Sequence, residues 1–279
     1  MNRGLHHLLV AVALALAASA AAAAPTSVEG QPDASPHWLK IRSSLFAQRE
    51  ITPAGSELLT LEMPVRAEDA AVVPIAVRTR LPQGAAPYVE KLYLVIDNNP
   101  SPIAAVFSFT PGSGQADIET RVRIDEYTHV RAIAQMSDGR LLMATRWVKA
   151  SGGCSAPPGK DPQAAQASLG KMRLRVEGEP APGRPVLAQL MVSHPNSSGL
   201  AMDQLTRHYV PAHFVRRIDI SYAGRPVLSA DLDISISENP NLRFWFIPQE
   251  AGGELKAQVV DNRDLQFESS LRLQPARGS

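Results

Sequence analysis

The sequence predicts an all-β protein: two immunoglobulin-like antiparallel β-sandwiches joined by a flexible linker, with one short helix near the N-terminus. Three observations carry this. From about Leu58 onward apolar and polar residues alternate, the period of half-buried strands. Turn formers such as Asp97-Asn98-Asn99-Pro100, Asp138-Gly139 and Ala223-Gly224 punctuate the alternation. The alternation breaks from Ser151 to about Ser168 in favour of glycine, proline, serine and alanine. A structureless stretch of that length reads as a linker or functional loop, not as a connection inside a compact domain.

The first residues read as a secretory leader over 1–24. Arg3 is the one fixed charge before the apolar run Leu8–Ala18, and small residues follow it. The run is too short for a membrane span of roughly 20 apolar residues. It carries no twin arginine and is followed by no lipid-anchoring cysteine, so export to the periplasm by the general secretory route is expected. About 255 residues then remain, enough for two domains: 35–150 as the first sandwich, 151–168 as linker and 169–274 as the second. Net charge is +1, and without a basic run nucleic acid is not expected as a partner.

Near the mature N-terminus Ser35 can cap a helix with Pro36 in its first position. Trp38, Ile41 and Leu45 follow at helical spacing. Strands are expected at Leu92–Ile96, about Val72–Arg80, Ile103–Phe109, Ile118–Ile124, Thr128–Gln135 and Leu141–Val148. In the second half they are expected around Met172–Val176, Ile218–Tyr222, Leu232–Ile236, Leu242–Ile247, Glu254–Val260 and Leu265–Leu273.

The linker carries the main chemical candidate. Cys154 is the single cysteine of the chain, preceded by Gly152-Gly153 and followed by Ser155-Ala156-Pro157-Pro158. An odd cysteine in an oxidising compartment points to a reactive thiol or to pairing between chains. Glycines before it and prolines after it predict a thiol displayed on a mobile arm, with Gly152 and Gly153 as the hinge. The three residues from Ser151 to Cys154 span roughly 10 Å when extended, enough to enter a partner's active-site channel. Lys149 and Lys160 are near in sequence and would raise the thiolate fraction modestly. A cysteine hydrolase would need a rigid base and oxyanion hole around the sulfur, for which this flexible segment is a poor platform.

Other candidates are weaker. His208 and His213 stand five apart across a proline, without the three or four ligands of a zinc site, and read as loop or interface histidines. His129, with His194, His208 and His213, would be the available base for a cysteine hydrolase. His194-Pro195-Asn196 reads as a turn, and Asn196-Ser197-Ser198 matches a glycosylation sequon. Asp231, Asp233 and Ser235 read as the solvated face of a strand. No resident cofactor or metal is expected.

Several of these segments together resemble a known family. Asp97-Asn98-Asn99-Pro100, Thr120-Arg121-Val122-Arg123-Ile124, Ser137-Asp138-Gly139 and Gly152-Gly153-Cys154 resemble the Y subunit of the Sox sulfur-oxidation carrier. His194-Pro195, Ser198-Gly199, Pro211-Ala212-His213-Phe214 and Ile236-Ser237-Glu238-Asn239-Pro240 before Phe244 resemble its Z subunit. Fused in this order over about 35–272, they are similar to the quinoprotein dehydrogenase-associated SoxYZ-like carriers. The resemblance implies a non-enzymatic carrier, with a covalent sulfur adduct on Cys154 that periplasmic redox enzymes process. It also implies a quinoprotein dehydrogenase or c-type cytochromes as further partners. In the two-subunit carriers the arm is a free C-terminus ending Gly-Gly-Cys-Gly-Gly, whereas here the chain continues through Ser155. The alternative is a binding or assembly module for an exported dehydrogenase, with the cysteine incidental.

Overall fold

The computed structural model describes residues 29–274 apart from 82, 158–161, 205 and 251. The leader expected over 1–24 and Lys160 therefore lie outside the described residues. The helix α1, Pro36–Phe46, forms as its signals predict: the Ser35 hydroxyl accepts from the Trp38 amide at 3.3 Å, and proline occupies the first turn. Trp38, Ile41 and Phe46 pack on Val95, Ile133 and Leu141, so α1 covers part of the outer face of a sheet.

Fifteen strands follow among the described residues. The first half contributes β1 (Ile51–Pro53), β2 (Leu59–Glu62), β3 (Val73–Thr79), β4 (Val89–Ile96), β5 (Ile103–Phe109), β6 (Ile118–Val122), β7 (Thr128–Met136) and β8 (Leu141–Val148). The second contributes β9 (Met172–Glu177), β10 (Val186–Val192), β11 (Val215–Tyr222), β12 (Arg225–Leu232), β13 (Asn241–Phe246), β14 (Glu254–Asp261) and β15 (Gln266–Arg272). The turns land where the sequence puts them. Ala223 and Gly224 both take positive φ, 47° and 75°, and Gly139 takes 91°, as tight hairpins require.

The two halves share their sheets. One sheet has nine strands in the order β1-β8-β7-β4-β5-β12-β11-β14-β15, the other six in the order β2-β3-β6-β13-β10-β9. The halves join where β5 pairs antiparallel with β12, from Phe109↔Leu228 to Ala105↔Leu232, and where β6 pairs with β13. Alternate residues of both sheets meet in one apolar layer: Leu92, Leu94 and Phe107 from the first half are continuous with Ile218, Phe244, Phe246 and Val259 from the second. The sandwiches read separately from the sequence thus abut edge to edge, each covering a sheet edge that would otherwise present unpaired backbone.

Several details differ from the sequence reading, which did not expect β1, β2 or β10. The stretch after Ser151 is not wholly irregular, since Pro162–Ser168 forms about two turns of helix, α2. The strand expected around Leu232–Ile236 lies earlier, at Arg225–Leu232, and Asp233–Ile236 forms a turn. Ser235 in that turn is buried and accepts a hydrogen bond from Asn99 Nδ2 at 2.9 Å, so it does not belong to a solvated face.

Candidate functional site

Cys154 lies where the two halves meet. Directly after β6 the segment Arg123–Asp125 is fixed from three sides. The Ile124 amide donates to Ala70 O at 2.8 Å and the Arg123 amide to Ser235 O at 2.8 Å. Asn99, from the predicted turn, donates to Arg123 O at 2.7 Å and accepts from the Asp125 amide at 2.9 Å. The cysteine arm lies on this platform. Gly152 N donates to Asp125 O at 2.8 Å, and Gly153 N donates to Ile124 O at 2.9 Å. From the second half, the Ser198 hydroxyl donates to Cys154 O.

The thiol is therefore not displayed. Cys154 is 0% exposed, and Gly153 is buried with it, whereas Ser151, Gly152 and Ser155 are exposed. The arm is a two-residue plug with solvated flanks. Its glycines are used for fit. Gly152 takes φ +79°, and a Cβ on Gly153 would stand 2.0 Å from Ala70 O and 2.7 Å from Ile124 O. The expectation of an exposed cysteine on a loose double-glycine hinge fails for this conformation, because the missing side chains admit backbone-to-backbone contact that seals the sulfur.

Burial pushes the thiol up to about 12, the Asp125 carboxylate adding to it and Arg123 opposing it. At pH 7 only about 10⁻⁵ of such a group is thiolate, against a few per cent for an unperturbed one. Arg123 is itself buried, with Nη1 donating to Ile236 O at 2.6 Å. Burial lowers its pKa, while Cys154 and Glu238 act in the opposite direction. Lys149, which the sequence placed beside the thiol, instead pairs with Glu29 at 2.7 Å. Of the groups that matter, Arg123 and Ser198 entered the sequence reading only inside segments of the family resemblance, and neither they nor Asp125 were assigned to the thiol. Arg123 and Asp125 had a signal in the strand that leads into the platform; nothing local pointed to the contact of Ser198 with Cys154, 44 residues away.

The loop that carries Ser198 is anchored by a buried polar cluster. His213 Nε2 lies 2.7 Å and His194 Nε2 3.4 Å from Asp261 Oδ2, all three residues being buried. Asp261 Oδ1 accepts the amides of Arg263 and Leu265 at 2.8 and 2.9 Å. The Asn196 amide donates to His194 Nδ1 at 3.1 Å, so the neutral ring carries its proton on Nε2 and aims it at the carboxylate. A cation bound at Nε2 would have to displace that proton, so the donor set fits a hydrogen-bonded clamp and not a metal centre. His208, read as its neighbour in sequence, is exposed and apart from the cluster.

Asn196 is 0% exposed and uses its whole amide: Nδ2 donates to Ile236 O at 3.2 Å and Oδ1 accepts from Val215 N at 3.0 Å. The sequon is thus sealed in the folded chain. The Ile236 carbonyl receives both Asn196 and Arg123, which couples the histidine loop to the thiol platform.

The buried histidines predict an acid-sensitive fold. Burial, with His213 beside it, pulls His194 down to about 4; burial, with Arg131 nearby, does the same to His129. Both folded values lie below the unfolded value near 6.5. The unfolded chain therefore takes up the proton first, and stability present above pH 6.5 is lost as pH falls towards 4. Burial raises the Asp261 carboxyl, but hydrogen bonds from His213, Leu265, Arg263 and His194 outweigh it and hold it low, giving a loss of the same sign at lower pH. Urea denaturation at pH 7 and pH 4.5 should differ by about 2–3 kcal/mol for each histidine. Replacing His194 with Gln should remove its share of that difference.

Comparison with known proteins places these observations. Residues 42–154 match the family of sulfur oxidation protein SoxY, the match ending on Cys154 itself, and residues 173–272 match sulphur oxidation protein SoxZ. Among solved structures, the sulfur carrier protein SoxY from Chlorobium limicola f thiosulfatophilum is similar at 23% identity and a TM-score of 0.34. That match covers 40% of this chain and 89% of that one. A beta-glycosidase from Bacteroides vulgatus is similar at 8% identity and a TM-score of 0.23, over 78% of this chain and only 25% of that one. No curated protein matches. With one domain of each kind in sequence order, the chain belongs to the SoxYZ family as a fused SoxYZ-like protein.

Proposed function

We propose that the protein is a periplasmic sulfur carrier whose attachment point is Cys154, and that the sealed thiol is its docked position. The observation that supports this is the way the arm is held. The SoxY match ends on Cys154, and the plug consists of two residues with exposed flanks, held by three short hydrogen bonds. Releasing it exposes one small side chain and gives up a few hydrogen bonds. That costs about 3–5 kcal/mol, an open population between about 10⁻² and 10⁻⁴. Once open, Ser151 and Gly152 let the sulfur reach a partner's active site.

The chemistry fixes what else is needed. Joining a cysteine thiolate to the sulfur of an anionic sulfur compound makes one S–S bond and releases two electrons. A redox partner must take them, since this chain holds no electron acceptor among its side chains. A c-type cytochrome or a quinoprotein dehydrogenase would serve, and export of the chain by its leader would bring it to their compartment. N-terminal sequencing of protein from the native host should show that leader removed. The loaded group is anionic, and Arg123 supplies a positive charge at the place from which the arm departs.

The deciding measurement is the intact mass of protein from host cells growing on reduced sulfur compounds. Added mass on Cys154, removed by a thiol reductant, is expected. The burial of the thiol favours a second reading, an assembly module in which the cysteine is structural. An unmodified Cys154 together with a Cys154→Ser chain that sustains sulfur oxidation would establish that reading instead.

A further inference from the structure

The outer face of the six-stranded sheet is unevenly charged. One band across it is neutralised: Arg78 on β3 bonds Glu119 on β6 at 2.5 Å, and Arg243 on β13 bonds Glu119 and Glu177, the latter on β9, at 2.7 and 2.6 Å. Around Arg121 and the start of β9 the pattern changes. Arg121, Lys171 and Arg173 are exposed and make no ion pair with another described residue. They line an open groove of about 460 Å³, with Gln189 and Asn241 in its wall. Through Arg121 and Asn241 it runs on into the neutralised groove beside Arg78. Like charges gathered without partners oppose folding slightly and are informative about what approaches from solvent.

The groove adjoins both grips on the cysteine arm. Arg121 stands three residues before Ile124, whose carbonyl holds Gly153, roughly 10 Å along extended chain. Lys171 O accepts the amide of Ser193 at 2.8 Å, where the loop toward Ser198 begins. A partner seated here lies beside the segments that grip the arm.

We propose that this groove is the docking surface for an acidic partner protein, one that works on the group carried by Cys154; the proposal rests on the carrier reading of that residue. The groove is open and far larger than one inorganic oxyanion, so it suits an acidic protein segment laid along it. Electrostatic attraction of this kind sets the approach and orientation of an encounter more than its final strength.

The test uses the full chain and a fluorescein-labelled oligoglutamate of roughly ten residues, followed by fluorescence anisotropy at low salt. Arg121→Glu/Lys171→Glu/Arg173→Glu should weaken binding by about tenfold or more, and Arg173→Glu alone, on an edge strand, by a smaller factor. An equal charge change elsewhere, Lys40→Glu/Arg42→Glu/Arg225→Glu, should alter it by less than about twofold. Equal losses from the two triple variants would overturn the proposal. So would displacement of the probe by sulfate beyond that by chloride at the same ionic strength, which would make the groove a small-oxyanion site. The same titration on Cys154→Ser protein should be unchanged. A groove that binds in a chain lacking any adduct would separate failure of the carrier reading from failure of the docking surface.

Discussion

Gly153→Ala is expected to release Cys154 into solvent. The new methyl would lie 2.0 Å from Ala70 O and 2.6 Å from Ala70 C, backbone atoms that cannot swing aside. The platform they belong to is fixed by Asn99 and by the Ile124 amide. The substitution should therefore undock the plug and leave the sheets intact. In the wild-type chain alkylation must wait for a minor open state. In the variant the thiol regains an ordinary pKa near 8.5 and full access, so its rate at pH 7 should rise by about 100-fold or more. Gly152→Ala is the calibrating control. Its side chain meets nothing within 4 Å, but φ +79° strains any residue other than glycine, costing about 1 kcal/mol and raising the rate by roughly fivefold to tenfold. Maleimide labelling followed by mass, beside a thermal melt for each variant, reads both effects. Equal rates in Gly153→Ala and the wild type, with cooperative melting, would mean that the arm is not held as described.

The second large effect is on stability. Arg131 is fully buried, with Nε and Nη2 bonded to Asp97 at 2.8 and 2.7 Å, Nη2 also donating to Pro32 O, and its guanidinium 4.1 Å from the Trp38 ring centre. The pair ties the N-terminal segment and α1 to β4 and β7. Asp97→Ala leaves a cation buried without its carboxylate, which should cost about 3–5 kcal/mol in urea denaturation. Replacing both partners, as Asp97→Leu/Arg131→Met, should recover most of that loss, because an apolar pair of similar volume does not strand a charge. A double variant no better than Asp97→Ala would assign the effect to lost packing against Trp38.

How far these features could be read in advance depended on how local their causes are. Ile103–Phe109 and Leu141–Val148 were legible residue for residue, since alternation and a bounding turn are written into adjacent positions. β10 was not, because Leu187 and Met191 make its outer face nearly as apolar as the inner face formed by Val186, Ala188, Leu190 and Val192. Alternation at Leu232, Ile234 and Ile236 put a strand there, whereas β12 runs Arg225–Leu232, so the strand was read seven residues late. At the site, Gly152-Gly153-Cys154 was found, but glycine serves both freedom and close approach. The choice between them is made by Ala70, 83 residues before Gly153. Asp261 likewise had no signal: its meeting with His194 and His213 exists only after β11 and β14 have paired.

The pairing of β5 with β12 and of β6 with β13 has a consequence for the covalent connection after Cys154. Adhesion between the halves comes from sheet ladders and a common apolar layer, so the peptide that joins them secures one copy of each per molecule. A proteolytic nick between Ser155 and Pro157 should accordingly yield two fragments that still co-elute as a noncovalent heterodimer. The sulfur would then sit close to a newly made carboxyl terminus.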